Sequence, residues 1–106
     1  MGETFAYPSL LIKNNQMKQR KGFELRNIAG EHVVVATGKD NIDFSRIISM
    51  NATSAWLWQA VEGTSFDVQK LCDLLTARYD VETSAAFADA EELLGRWLAA
   101  GIITKD

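Results

Sequence analysis

The sequence predicts one α+β domain in which three short strands precede three helices. Two strand-like runs flank a glycine, a third short strand ends at an asparagine, and apolar residues then recur at helical spacing up to residue 100. The chain of 106 residues has room for a single domain. A small antiparallel sheet followed by three short helices with short connections is an arrangement of the winged-helix type.

Residues 23–37 predict a β-hairpin. Residues 23–28 begin with apolar and charged side chains in alternation, as in a strand with one face in solvent. Residues 32–37 contain three consecutive valines, which favour a pleated, half-buried surface. Gly30 lies between the two runs and supplies the turn.

A polar connection over residues 38–46 leads to a third, short strand over 47–50. Because side chains alternate along a strand, Ile48 and Met50 should point to one face. Ile47 and Ser49 should point to the other. If this strand lies at the edge of the sheet, its free backbone groups are available to pair with an added extended peptide.

Asn51 predicts an abrupt change from strand to helix. Its side-chain oxygen is well suited to accept a backbone N–H of the first helical turn, so we expect a helix over residues 52–62. Gly63 follows where a left-handed C-terminal cap is needed. The helix carries Trp56 and Trp58, which we interpret as anchors that hold it beneath the third strand.

The second helix is predicted to open at residues 64–67, which match the S/T-x-x-E/D capping pattern. Its apolar residues recur at positions i, i+3, i+4, i+7 and i+11 and form one stripe of an amphipathic helix. This stripe consists of Val68, Leu71, Cys72, Leu75 and Tyr79.

The third helix is predicted over residues 83–100, with Gly101 as its end. Its apolar surface is wider than a single core stripe requires, so part of it could form the wall of a groove. We expect Leu94 and Leu98 to belong to the core, whereas Trp97 fits either the core or the groove. The apolar positions are Ala86, Phe87, Ala90, Leu93, Leu94, Trp97 and Leu98.

The domain boundary is predicted near residue 20, with an N-terminal arm over 1–19 and the folded domain over 20–106. Pro8 disfavours helix in the arm, and residues 5–12 are apolar. We expect these residues to dock on their own chain or on a second copy, and the latter would produce a homodimer. A disordered tail is the alternative.

Catalytic and metal-ligating sets are absent from the sequence. His32 is the only histidine and Cys72 the only cysteine, and Cys72 belongs to the apolar stripe of the second helix. We therefore predict no enzyme activity, no catalytic residue, no metal and no cofactor. The net charge of −3, the lack of a signal peptide and the lack of a membrane-length apolar run predict a cytoplasmic protein that binds neither nucleic acid nor membrane.

Two binding functions remain open at this point, and the first is a winged-helix regulator that binds DNA or another protein. A winged helix can place a helix in the DNA major groove, yet Arg96 is the only basic residue between 83 and 100, and DNA affinity depends on cationic contacts to phosphate. The alternative is a peptide site between the third strand and the third helix. Its candidate residues are Arg46, Ile47, Ile48, Ser49, Met50, Phe87, Ala90, Glu91, Leu94 and Trp97. A structural subunit of a larger enzyme, with this groove permanently filled, is a third possibility.

From about residue 20 to 104 the sequence resembles the PqqD family, the small proteins of pyrroloquinoline quinone biosynthesis. The most specific part is the N-x-T-x-A-x-L-W block between hairpin and helices, formed by Asn51, Thr53, Ala55 and residues 57–58. The remaining similarity lies in residues 23–26 (FELR), 30–35 (GEHVVV), 43–46 (DFSR), 48–51 (ISMN), 63–64 (GT) and 79–81 (YDV).

Three positions depart from the family pattern. Ala52 stands where Glu is usual and Ser54 where Gly or Ala is usual, and both lie in the first turn of the predicted helix. Arg46 stands in place of Gly and puts a charge at the start of the third strand, which could alter the peptide that is accepted.

The resemblance implies a non-catalytic adaptor. Members of this family bind the leader segment of a ribosomally made precursor peptide as an extra strand between the third strand and the third helix. They present it to a modifying enzyme, often a radical S-adenosylmethionine protein. On this basis we expect the precursor peptide and such an enzyme to be the partners, and residues 47–50 to be the strand that pairs.

Overall fold

The computed structural model describes residues 16–37 and 42–106, with the backbone alone for residues 42–46. A three-stranded antiparallel sheet is followed by three helices, which confirms the predicted α+β fold of winged-helix-like order. The strands are β1 (Met17–Gln19), β2 (Phe23–Ile28), β3 (Glu31–Thr37), β4 (Ile42–Met50) and β5 (Ile103–Lys105). The helices are α1 (Ala52–Ala60), α2 (Val68–Arg78) and α3 (Thr83–Ala100).

The main sheet has the order β2-β3-β4, so β3 is central and the other two strands are edges. Leu25, Val34 and Ile48 are opposite one another across the sheet. The predicted hairpin is confirmed, with Gly30 at φ +83° in its turn.

Strand β4 is longer than the predicted segment 47–50, and it includes residues that the sequence indicates as a polar connection. The register shifts between Val35 and Ala36 of β3, so that Val35 is opposite Ile47 while Ala36 is opposite residue 43. This shift of register, which leaves residues 44–46 without an opposite residue, lets residues 42–43 pair with the end of β3, where their backbone groups gain hydrogen-bond partners.

A second, two-stranded sheet joins β1 to β5 in antiparallel pairing, with Lys18 opposite Thr104. Met17 donates its backbone N–H to the carbonyl oxygen of Phe66 at 2.7 Å, and Phe66 donates its own to Met17 at 2.9 Å. The residues that follow Gly101 thus form a strand, Ile103–Lys105, and do not end as a free tail. The arm residues 1–15, Pro8 among them, lie outside the described residues, and both the boundary at residue 20 and the homodimer stay predictions.

Trp97 lies at the centre of the core between the helices and the sheet. It is 2% exposed, and its ring meets those of Trp58 and Phe66 edge-on at centroid distances of 5.1 and 6.1 Å. Leu94 is half-buried against this core, whereas Leu98 is 46% exposed. The prediction that Leu98 is a core residue is wrong because it lies about 100° around α3 from Trp97.

Local capping decides where the helices begin and end. The Oδ1 atom of Asn51 accepts the backbone N–H of Ser54 at 2.8 Å, which confirms the predicted N-cap of α1. Gly101 ends α3 at φ +76°, also as predicted. The predicted start of the second helix at residues 64–67 is wrong, because Asp67 is the N-cap and accepts the backbone N–H of Lys70 at 2.8 Å.

Candidate functional site

Strand β4 has one edge that no strand of the described chain covers, because β3 occupies only the other side. The predicted alternation along β4 is confirmed. Ile47 is 42% exposed and Ser49 is exposed, whereas Met50 is buried and Ile48 is half-buried against the core. The side chain of Arg46 lies outside the described part of the structure.

The predicted site residues of α3 divide into two sets. Ala90 and Trp97 are buried in the core and offer no surface in this state. Phe87 and Glu91 are exposed and Leu94 is half-buried, and their spacing of four and three residues puts them along one side of the helix. The structure thus brings only part of the predicted set to a common surface.

A groove of about 290 Å³ lies between the first turn of α1 and the side of α3 that does not carry Phe87 and Leu94. We call it the α1–α3 groove. Its floor includes Leu57 and Leu75, which are both buried. It begins directly after β4, because Asn51 is the first residue beyond that strand. The full lining is Asn51, Thr53, Ser54, Leu57, Leu75, Asp89, Glu92, Leu93 and Arg96.

A smaller groove of about 190 Å³, the α2–α3 groove, adjoins the first. The two grooves share Thr53, Leu75 and Asp89, so together they form one continuous surface, which we call the trough. The smaller groove is also lined by Tyr79, Val81 and Ala86.

Tyr79 is tied to the wall of the trough by its hydroxyl, which lies 3.2 Å from the hydroxyl of Thr53. The hydrogen bond with Thr53 lowers the pKa of Tyr79 below its ordinary value, and Arg78 acts in the same direction. The Arg78 guanidinium stacks 4.5 Å from the ring centroid of Trp56, whose ring meets Tyr79 edge-on at 6.2 Å. Trp56 therefore packs against the end of α2, while Trp58 belongs to the core.

The charges on α3 within the trough are unequal. Glu92 accepts a hydrogen bond from the Arg96 guanidinium at 2.6 Å, which neutralises both groups locally. Asp89 is exposed and has no ion-pair or hydrogen-bond partner among residues 16–37 and 47–106. The trough therefore presents one uncompensated negative charge above an apolar floor.

Sequence reasoning missed the residues of α3 that face the trough. Asp89, Leu93 and Arg96 recur at helical spacing beside the core stripe, and this spacing was a usable signal. It does not reveal which side of α3 faces α1, and the predicted Phe87 and Leu94 lie on the opposite side of the core stripe.

Other chemistry in the described residues is sparse. They contain no group of three His, Cys, Asp or Glu side chains that could hold a metal ion. Cys72 is fully buried, with its sulfur 3.8 Å from the carbonyl oxygen of Thr83. Among the described helices, none is long and apolar enough to cross a membrane.

Comparison with known proteins identifies the family. The family described as Coenzyme PQQ synthesis protein D (PqqD) matches residues 31–103, from the start of β3 to the start of β5. No curated protein and no solved structure matches the chain at a significant level. The matched range covers more than half of the chain and contains both the β4 edge and the trough. The chain therefore belongs to the PqqD family, a family of non-catalytic, peptide-binding accessory proteins of biosynthesis.

Proposed function

We propose that this protein is an adaptor that binds the leader segment of a ribosomally made precursor peptide as an added strand along β4. The observation that carries the proposal is the uncovered outer edge of β4, in a chain of a peptide-binding accessory family. The bound leader is then presented to a modifying enzyme, for which we propose the radical S-adenosylmethionine class.

The edge of β4 suits strand addition for a physical reason. An edge strand carries a row of backbone N–H and C=O groups that an extended peptide can pair with, and these bonds supply affinity without depending on the peptide sequence. Selectivity then comes from the side chains beside the edge. Ile47 exposes apolar surface on one face of the sheet, and Ile48 lies half-buried on the other.

An adaptor needs no catalytic side chain, because the chemistry belongs to the enzyme that it serves. The charges of α3 favour this function over DNA binding. Arg96 is the only basic residue of that helix, and it is paired with Glu92. A helix that reads DNA draws much of its affinity from cations free to contact phosphate.

Hydrogen exchange tests the binding mode. The probe is a synthetic peptide with the leader sequence of a candidate ribosomal precursor, added at saturation. We expect slower exchange of the backbone amides of residues 47–50, because an added strand provides acceptors for the outward-facing N–H groups. The amides of β2, at the opposite edge of the sheet, are the internal control and should exchange as before.

A salt series on the same complex is the companion measurement. Strand addition with apolar contacts should weaken little as salt rises, whereas nucleic-acid binding should weaken steeply. Unchanged exchange at residues 47–50 in a saturated complex would reject strand addition at this edge. A steep loss of affinity with salt would argue against the proposed contact chemistry.

A further inference from the structure

Asp89 is the one charged group of the trough that the described chain leaves without a counter-charge. It belongs to both grooves, and the neighbouring carboxylate, Glu92, is already paired with Arg96. Asp89 is exposed, so its carboxylate remains hydrated in the free protein. It is accessible to a positively charged group of a ligand.

The floor beneath Asp89 is apolar. Leu93 and Val81 line the grooves and are half-buried, so part of each side chain stays open to a ligand, and Tyr79 beside Val81 is 39% exposed. An occupant that covers these side chains gains from burying apolar area. The surface is therefore complementary to a ligand that carries an apolar side chain and a positive charge close together.

The trough has the dimensions of a short extended peptide. It follows α3 from Ala86 to Arg96, a span of about 15 Å at 1.5 Å per helical residue. About four or five residues of extended chain cover that distance at about 3.3 Å each. The trough also includes Asn51, which directly follows the last residue of β4.

We propose that the peptide which pairs with β4 continues into the trough, and that Asp89 selects a Lys or Arg next to an apolar residue in this continuation. This inference rests on the proposed function and adds the class of peptide that the site accepts. The apolar neighbour covers Val81 and Leu93, and the cation of the peptide lies against the Asp89 carboxylate.

Selection from a display library of random peptides tests this selectivity. Peptides of about fourteen residues are long enough to cover both β4 and the trough. We expect the wild-type protein to enrich Lys or Arg beside an apolar residue. Asp89→Asn should lower the affinity of an enriched peptide by about two- to fivefold, as for an exposed ion pair. Asp89→Lys should change the preference from basic to acidic residues, because it converts attraction into repulsion.

Asp73→Lys is the matched control, since it makes the same charge change at an exposed position of α2 that lines neither groove. We expect this variant to keep the basic preference. Circular dichroism melting of each variant verifies that the fold is retained, and the near-isosteric Asp89→Asn carries the test if Asp89→Lys unfolds.

The outcomes separate this inference from the proposed function. Two results overturn the inference and leave strand addition intact. One is that enriched peptides protect residues 47–50 but show no basic preference, and the other is an equal effect of Asp89→Lys and Asp73→Lys. A library with no binder at all overturns both. A third outcome is that the free protein sediments as a dimer which Asp89→Lys dissociates. The occupant of the trough is then a second copy of this chain, and the inference is overturned.

Discussion

Ala29 has a strained backbone conformation that the residues around it in the sequence do not predict. It has φ +54° in the two-residue turn between β2 and β3, and it is the only non-glycine residue of the described chain with positive φ. Gly30 follows at φ +83°, so both turn residues have positive φ, which corresponds to the hairpin turn that usually contains Asn-Gly. The Cβ of an alanine in this region costs about 1–2 kcal/mol.

Replacement of Ala29 should therefore stabilise the protein. We expect Ala29→Asn to raise the free energy of unfolding by about 0.5–1 kcal/mol, because Asn tolerates the left-handed region better. At this chain length, the midpoint of thermal unfolding should rise by a few degrees. Ala85→Gly, at an exposed position within α3, is the control and should lower stability by about 1 kcal/mol. A lower melting temperature for Ala29→Asn would contradict the strained turn.

Helix α3 combines two tasks on one element. Its core stripe packs Trp97 against Trp58 and Phe66, and this packing sets the rotation of the helix about its axis. The rotation in turn determines that Asp89 faces the trough and that Phe87 does not. A core contact thus decides which polar side chains are available for binding.

Adjacent residues of α3 should respond very differently to truncation. We expect Trp97→Ala to lower the free energy of unfolding by about 3–5 kcal/mol, because it leaves a cavity among packed aromatic rings. Leu98→Ala should change it by less than about 0.5 kcal/mol, since that side chain is largely exposed. Urea unfolding followed by circular dichroism gives both values. Similar losses for the two variants would contradict the burial assigned to α3.

At the scale of the whole molecule, β1 and β5 connect the two ends of the described chain. Met17 is 3% exposed in the core, and the backbone N–H of Arg20 donates to the carbonyl oxygen of Ile102 at 3.0 Å. Gln16 accepts the backbone N–H of Asp106 at the other end of this pair of strands. The pairing holds the end of α3 close to Phe66 and so contributes to the packing of the core.

Two truncated proteins test this contribution. A chain that starts at residue 20, the predicted domain boundary, should be less stable than a chain that starts at residue 16. The difference should be about 2–5 kcal/mol, because the shorter chain loses the buried Met17 side chain and the partners of β5. Thermal melting of both proteins measures it, and Lys18→Ala in the longer chain is the control at an exposed position. Equal stability would show that residue 20 is an adequate boundary.

The sequence by itself determined the features that depend on neighbouring residues. The β2–β3 hairpin, the alternation along β4, the cap at Asn51 and the end of α3 at Gly101 follow from side-chain periodicity and local hydrogen bonding within a turn or two of chain. The family resemblance depends on the same segments. Together they predicted the fold class and the edge of β4 as a candidate site.

Only the tertiary structure decided the features that depend on distant residues. The capping pattern at 64–67 does not start the helix because Phe66 pairs with Met17, and α2 then begins at Val68 with Asp67 as its N-cap. The side of α3 that faces the trough is set by the contacts of Trp97 with rings 31 and 39 positions away in sequence. The physical reason is that helical periodicity gives the relative angles of side chains about an axis, whereas the rotation of that axis is decided by what the core packs against.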